Sequence, residues 1–363
     1  MIDDIRLSRL AIPLATPYKL AFGAVTHFDT ILVRLTIGGR EGQGEATILN
    51  GYTDETIEQA WPRAKALARQ LPGFSAAAAR ELVWRDLPDA PFTVTAFLSA
   101  IEMGEDHPIL SIQESTRIPL LFGVNATDPA GIEAEIEAAL SGGYGTLKIK
   151  VGFGMEADLE RVRLIQRINR SRAALRIDAN QGYSRDEACV FASALDPESV
   201  ELLEQPCAAE DWDGLEAVAK VAAVPLMLDE SIYNERDIER AAKLGASFGK
   251  LKLMKFGSLS RLEAGLQKIR ALGMEPVLGN GVAGDLGCWM EACVARRHIR
   301  NAGEMNGFLR QRRPLANPPM RVNAGSIELA PDWRPRLDPE RLREVTAETI
   351  LVSGKGNSMK VSA

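Results

Sequence analysis

At 363 residues the chain exceeds one average domain yet is short for three, which suits a barrel of about 250 residues with a smaller companion. Hydrophobic residues at 46% and charged residues at 25%, with no low-complexity run, exclude a disordered or fibrous chain. The net charge of −6 gives no basic field for nucleic acid, since Arg310-Gln311-Arg312-Arg313 is a short local cluster, and the expected partner is a small molecule.

The chain opens Met1-Ile2-Asp3-Asp4, acidic where a secretion signal needs a basic start, and no apolar stretch approaches the roughly 18 residues of a membrane span. A cytoplasmic protein with no membrane contact is expected. The four cysteines, Cys189, Cys207, Cys288 and Cys293, form no C-x-x-C pair and read as reduced, mostly buried thiols. Arg6 to Leu14, Thr30 to Ile37 and Glu41 to Ala46 are β-rich runs, with Gly38-Gly39 a hairpin turn between the last two. Helical spacing follows over Thr53 to Leu71, Ala76 to Leu87 and Val94 to Met103, with Thr53 as N-cap and Asp54 and Glu55 in the first turn.

After Pro119 a strand and a helix alternate roughly every 25–30 residues, the rhythm of parallel βαβ units. Eight strands are read: Leu120 to Val124, Thr146 to Val151, Leu175 to Asp178, Val200 to Glu204, Leu226 to Asp229, Phe248 to Leu253, Glu275 to Leu278 and Asn301 to Met305. Eight such units favour an α/β fold closed as a (β/α)8-type (modified TIM) barrel over residues 116–324, although periodicity alone also permits a doubly wound open sheet. Residues 1–115 read as an α+β capping domain. The tail from Val322 has no ninth unit, and segment 325–363 is expected to return to the N-terminal sheet.

Several apolar strands end in a charge, at the end where barrel enzymes place their chemistry. Asp178, Glu204 and Asp229 end strands three, four and five. Residues i and i+2 of a strand share a face, so Lys148 pairs with Lys150 and Lys250 with Lys252, on strands opposite each other across the barrel. A single charge of this kind has a plain reading as the solvated end of a strand, but five in register do not. Three carboxylates with no histidine or cysteine beside them form a hard oxygen site, suited to Mg2+ or, as second choice, Mn2+. Such an ion offsets the charge formed when the C–H beside a substrate carboxylate ionises. The base must be neutral near pH 7, which calls for a depressed lysine, and Lys148 beside Lys150 meets that need.

With Lys148-Ile149-Lys150, Asp178-Ala179-Asn180, Glu204-Gln205-Pro206, Asp229-Glu230-Ser231 and Lys252-Leu253-Met254-Lys255 in this order, the sequence resembles the enolase superfamily over nearly its whole length. Within it, lysines on strands two and six resemble the muconate-lactonizing subgroup. The resemblance implies Asp178, Glu204 and Asp229 as metal ligands, Lys150 as one acid/base with Lys148 as electrostatic partner, and Lys252 as the opposite acid/base. Mandelate-racemase-like members use a histidine after strand seven, where this chain reads Leu278-Gly279-Asn280-Gly281. Dipeptide epimerases of the subgroup carry Asp-x-Asp at strand eight to hold a substrate ammonium; here the segment is Glu304-Met305-Asn306, which also resembles the strand end of muconate cycloisomerases. Gly257-Ser258 replaces the family's Gly-Gly, and Pro331-Asp332-Trp333-Arg334-Pro335 replaces its glycine-rich stretch near the C-terminus.

Asn180, Glu304, Asn306 and Asn280 are candidate substrate contacts, Asn180 also as a partner of Lys150 or of a metal-bound water, or as a plain strand-end hydrogen bond. Cap loop Pro17 to Phe28 and segment Leu49 to Thr53 add Tyr18, Phe22 and Tyr52, against the common alternative that loop aromatics only pack. His27 sits in that loop; His107 and His298 read as structural. Gly279, Gly281 and Gly284 spell G-x-G-x-x-G, a weak nucleotide signal in the seventh unit. Lys255 is expected on the opposite face of its strand from Lys252, as a surface or supporting lysine, and Glu230 as a supporting acceptor.

These residues serve a racemase or epimerase of an amino-acid derivative or dipeptide, with lysines on both faces of the α-carbon, and equally a cycloisomerase or syn-dehydratase. A Schiff-base aldolase, using a barrel lysine as nucleophile, leaves three aligned carboxylates unexplained. A symmetric homo-oligomer is expected on frequency alone.

Overall fold

The computed structural model describes residues 1–20, 23–331, 333–354 and 360–362. Its first sheet is antiparallel, in the order Lys360–Ser362, Thr346–Ser353, Ile2–Leu20, Gly23–Ile37, Arg40–Thr47. The C-terminal strand lies along the first, from Asp4 opposite Ser353 to Leu10 opposite Thr346. The expected loop from Pro17 to Phe28 is instead mostly ladder: pairing breaks after Pro13 opposite His27 and resumes at Tyr18 opposite Val25. Ser326–Leu329 does not join this sheet but pairs with Thr116–Pro119.

Three helices, Ile57–Gln70, Ala76–Asp86 and Pro91–Gly104, cover the sheet. The first starts later than its spacing suggests, with Thr56 rather than Thr53 at the N-cap. The cause lies in Glu55, whose carboxylate turns away to accept the N–H groups of Phe92 and Thr93 at 2.7 and 3.0 Å, capping the third helix. That helix lies on Arg40–Thr47 so closely that a Cβ on Gly42 would stand 2.0 Å from the Ala100 carbonyl.

Seven parallel strands form the second sheet: Phe122–Val124, Thr146–Lys150, Ala174–Asp178, Val200–Glu204, Leu226–Leu228, Phe248–Leu251 and Glu275–Leu278, numbered one to seven below. Helices fill the connections, as parallel crossovers require. Asn301 to Met305, expected as strand eight, is no ladder strand. Its backbone closes the barrel through three bonds: Gly303 N–H to Pro119 O at 2.8 Å, Leu121 N–H to Gly303 O at 3.0 Å, and Glu304 N–H to Leu278 O at 3.0 Å, with the Asn301 amide donating to Pro276 O at 3.0 Å. A Cβ on Gly303 would lie 2.4 Å from Met305 Sδ and 3.0 Å from Leu278 O, so a larger residue here would have to displace the Met305 side chain. Strand six likewise stops two residues short of its expected end. Leu253–Phe256 makes one helical turn with Lys252 at its N-cap position.

The lumen is packed, not open. Leu202, Met227 and Val277 form a small apolar cluster, and Leu202 and Met227 lie two residues before Glu204 and Asp229 on the same faces. Arg176, two residues before Asp178, shares this interior and is 1% exposed. A register shift after Leu175 marks a bulge at Glu201. Arg176 Nε bonds Glu201 Oε2 at 2.7 Å, while its other nitrogens reach Ala302 O at 2.7 Å and Asn301 Oδ1 at 3.2 Å. One guanidinium thus ties strands three and four to the closing segment. Replacing it with methionine (Arg176→Met) should cost about 2–4 kcal/mol, by orphaning buried acceptors and loosening the seam. A urea midpoint equal to the wild type's would remove Arg176 from that role.

Candidate active site

The charged strand ends meet at the C-terminal mouth of the barrel, beneath the first sheet's hairpin. Apolar alternation on strands two to six buries one face on the helices and turns the other inward, so Lys148, Asp178, Glu204 and Lys250 share one lumen with Asp229 and Lys252 just past their strands. Lys148 Nζ lies 2.8 Å from Asp178 Oδ2, 3.0 Å from Glu204 Oε2 and 2.9 Å from Glu304 Oε2. Lys250 Nζ lies 2.9 Å from Glu204 Oε1 and 3.4 Å from Asp229 Oδ2, and also bonds Glu304 Oε2. Lys150 and Lys252 stand at opposite ends of this row, bonding Asp178 at 2.6 Å and Asp229 at 2.7 Å.

Burial pushes the Asp178 carboxyl up, but Lys148 and Lys150 more than offset it and hold it at about 2. Asp229 and Glu304 are likewise held well below the carboxylate range against their burial, the first by Lys252, Lys255 and Lys250, the second by Lys148 and Lys250. The lysines answer in kind. Burial lowers Lys148 and Lys250, yet the carboxylates around them carry both far above the lysine range. Lys252 is raised too, because Asp229 outweighs its burial. Lys255 is lowered, because burial prevails over Asp229.

Lys255 takes the supporting one of its two expected places, but on the same side as Lys252 rather than the opposite face. The helical turn after Lys252 swings it inward, and its ammonium bonds Asp229 O at 2.7 Å and Oδ1 at 2.9 Å under the Tyr233 ring. Asn180 accepts a bond from Lys150 and donates one to Glu230 at 2.9 Å. Burial, then Asp229 and Asp178, raise the Glu230 carboxyl. Asn280 turns its Oδ1 to the Val282 and Ala283 N–H groups, at 2.9 and 3.0 Å, and so shapes the turn after strand seven. Tyr18 and Tyr52 join hydroxyl to hydroxyl at 2.5 Å, and Lys252 Nζ lies 5.3 Å from the Tyr52 ring centre. Phe22 lies outside the described residues. His27 pairs with Asp29 at 3.5 Å and is half-exposed.

Two glycines of the G-x-G-x-x-G run have packing reasons: Gly279 adopts φ 131 against the Glu304 backbone, and Gly284 abuts the Glu45 carboxylate. Gly281 lies open beneath Glu304, Asn306 and Arg310. Two positioning residues escaped sequence reasoning. Gln205, fully buried, accepts the Asp229 N–H at 3.0 Å and the Ser231 N–H at 3.2 Å, fixing the third carboxylate from the neighbouring strand end. Its φ of 38 in a Glu-Gln-Pro run is the signal that local sequence could not carry. Glu291, on helix Asp285–His298, accepts the Leu253 N–H at 2.8 Å and so holds the turn that carries Lys252.

Oxygen-only donors on three neighbouring strand ends, all at most 2% exposed, have the chemistry of a hard-cation site, and Asp178, Glu204 and Asp229 would hold Mg2+ there. Among the described residues no three acids close on a single point as they stand, because Lys148 and Lys250 are wedged between them. The donor set fits the ion; the lysines supply the balancing charge in this arrangement.

A parallel barrel carrying this charge row under an antiparallel cap defines the enolase superfamily of barrel enzymes. The family model "Enolase C-terminal domain-like" matches residues 131–335, and the chain belongs to that family, as an enolase-superfamily isomerase. The L-Ala-D/L-Glu epimerase of Bacillus subtilis is 29% identical over 82% of this chain and 86% of its own. Two solved structures share the fold. The dipeptide epimerase of Cytophaga hutchinsonii, complexed with Mg and D-Ala-L-Val, has a TM-score of 0.86 at 23% identity, covering 97% of this chain and 100% of that one. The muconate lactonizing enzyme of Pseudomonas fluorescens has a TM-score of 0.85 at 24% identity, covering 95% and 99%. Among the described residues no helix is long and apolar enough to cross a membrane.

Burial raises the Glu291 carboxyl from 4.5 to about 8, only partly countered by the Leu253 N–H and by Lys252 and Lys250. A raised acid favours the folded state below its unfolded value and loses that contribution as pH rises through the folded one. Glu291→Gln, a neutral isostere, should therefore gain stability relative to the wild type from pH about 4.5 upward. The gain should level off above about 8 at on the order of a few kcal/mol. Urea midpoints at acid, neutral and alkaline pH check this, and a difference that does not vary with pH refutes it.

Proposed function

We propose that the protein abstracts the α-proton of a small carboxylate substrate and returns a proton to that carbon, acting as a racemase or epimerase of an amino-acid derivative or dipeptide. The observation that carries this reading is the placement of Lys150 and Lys252 at the two ends of one carboxylate row, each bonded to a different outer member of it. Two amines on opposite sides of one carbon are what inversion requires: the neutral one takes the proton, and the protonated one donates to the other face. Bound at Asp178, Glu204 and Asp229, Mg2+ supplies positive charge against the second negative charge that a carboxylate gains when its α-C–H ionises.

The chain's own residues do the rest. Asn180 joins Lys150 to Glu230 and fixes the amine's direction, while Tyr52 lies over Lys252 and shields it from water. Lys148 and Lys250, at most 5% exposed, lie between members of the row as fixed charge. The likeness to an epimerase at 29% identity supports the choice of inversion.

In D2O with Mg2+, α-proton exchange with inversion should be seen by NMR in at least one of a panel of dipeptides and N-acylated amino acids. Lys150→Met should suppress exchange from one enantiomer and Lys252→Met from the other, each by about 10²–10⁴-fold. Equal exchange by both variants with either enantiomer would end the two-lysine mechanism.

A further inference from the structure

One oxygen outside the charge row takes four donors. Asp158, on helix Met155–Asn169 after strand two, is 5% exposed. Its Oδ2 accepts the N–H groups of Gly152, Phe153 and Gly154 at 2.9, 2.9 and 3.0 Å, and the Tyr183 hydroxyl at 2.8 Å. Burial, then the bond to Asp158, push the Tyr183 hydroxyl above the usual tyrosine range, so it remains a donor near neutral pH.

The four donors come from two loops. Gly152, Phe153 and Gly154 lie in the loop that leaves strand two, whose last residue is Lys150. Tyr183 lies in the turn after strand three, which also carries Asn180, the partner of the Lys150 ammonium. These loops meet backbone to backbone: a Cβ on Gly152 would stand 2.5 Å from Ala179 O, and one on Gly182 would stand 2.6 Å from Gly152 Cα. Asn180 and Gln181 take φ of 42 and 67, values that residues with a side chain adopt only where their surroundings impose them. Three residues beyond Asp158 on the same helix, Arg161 donates to Lys150 O at 2.9 Å and to Val124 O and Ala126 O at 3.0 Å. Lys150 is thus held at its carbonyl by Arg161 and at its ammonium by Asn180, and the chain beyond each contact returns to one oxygen. Lys252 is held elsewhere, on the turn that Glu291 anchors from helix Asp285–His298. A change at Asp158 can therefore move one amine without the other.

We propose that Asp158 is a positioning residue for Lys150. By tying the loop after strand two to the turn after strand three, it fixes the Lys150 amine against Asn180 and so against one face of the α-carbon. A displacement of about 1 Å in a reacting group costs on the order of a hundredfold in rate. The inference rests on the α-proton reading above and assigns the residue that aims one of its two amines.

The test sets Asp158→Ala, its fold checked by circular dichroism, beside Lys150→Met. With Mg2+ in D2O, α-proton exchange is followed by NMR from both enantiomers of a dipeptide or N-acylated amino acid that the wild type exchanges. Asp158→Ala should slow exchange by about ten- to a hundredfold from the enantiomer that Lys150→Met silences, at a KM within about twofold. Exchange from the other enantiomer should stay within about threefold of the wild type. In metal-free protein, chymotrypsin should cut after Phe153, which is 85% exposed, at least about tenfold faster in Asp158→Ala than in the wild type. Tyr183→Phe removes one donor of the four and should show the same enantiomer preference with a smaller loss; it decides the matter if Asp158→Ala does not fold. Exchange lowered equally from both enantiomers would mean that the change reaches the carboxylate row, and would overturn the proposal. Wild-type exchange rates, or wild-type cleavage at Phe153, would overturn it as well. A Lys150→Met protein that treats both enantiomers alike, or a wild type that exchanges no compound, would instead end the reading on which the inference rests.

Discussion

Everything at the barrel mouth depends on one electrostatic constraint: carboxylates and ammonium groups buried together must neutralise one another or leave the interior. Asp178, Glu204, Asp229 and Glu304 are each at most partly exposed and each bonds at least one lysine. The desolvation of any one of these charges would be prohibitive alone. Sharing fixes their positions, because Lys148 and Lys250 each touch three carboxylates, two of them in common, and no carboxylate can rotate away without losing at least two lysine contacts. Such a lattice of opposite charges is preorganised, at the expense of stability that an apolar lumen would have given.

The supporting shell follows from that constraint. Gln205 aims Asp229, Glu291 anchors the turn behind Lys252, and Lys255 presses on Asp229 from below. The cap completes the shell through Tyr52 and Tyr18, which place apolar rings over the cations Lys252 and Arg310. Rings of this kind keep water from the charges while adding an attraction of their own.

Much of this was legible in the sequence, for physical reasons that differ by element. Strands two, three, four and seven were read nearly to the residue, because each is a short β-rich apolar run recurring at the spacing of a parallel βαβ unit. The last strand was not, since the closing segment meets its neighbours through the backbone of Gly303 and Glu304, which side-chain pattern does not encode. Lys255 was misplaced by the assumption that strand six continues, whereas a helical turn begins at Leu253 and changes the period from two to 3.6. Gln205 and the bulge at Glu201 are beyond pattern reading because each depends on a neighbouring strand's register.

The seam carries a kinetic consequence. Its partners, Leu121 and Gly303, are among the most distant in sequence of any that meet in the barrel, so the ring can shut only after the chain between them has organised. With three backbone bonds, one guanidinium and the Asn301 amide to hold it, this junction is the natural last step in assembly and the first place for the barrel to breathe. It lies directly below Glu304, so opening there would loosen the lysine–carboxylate lattice from its floor while the cap stayed shut.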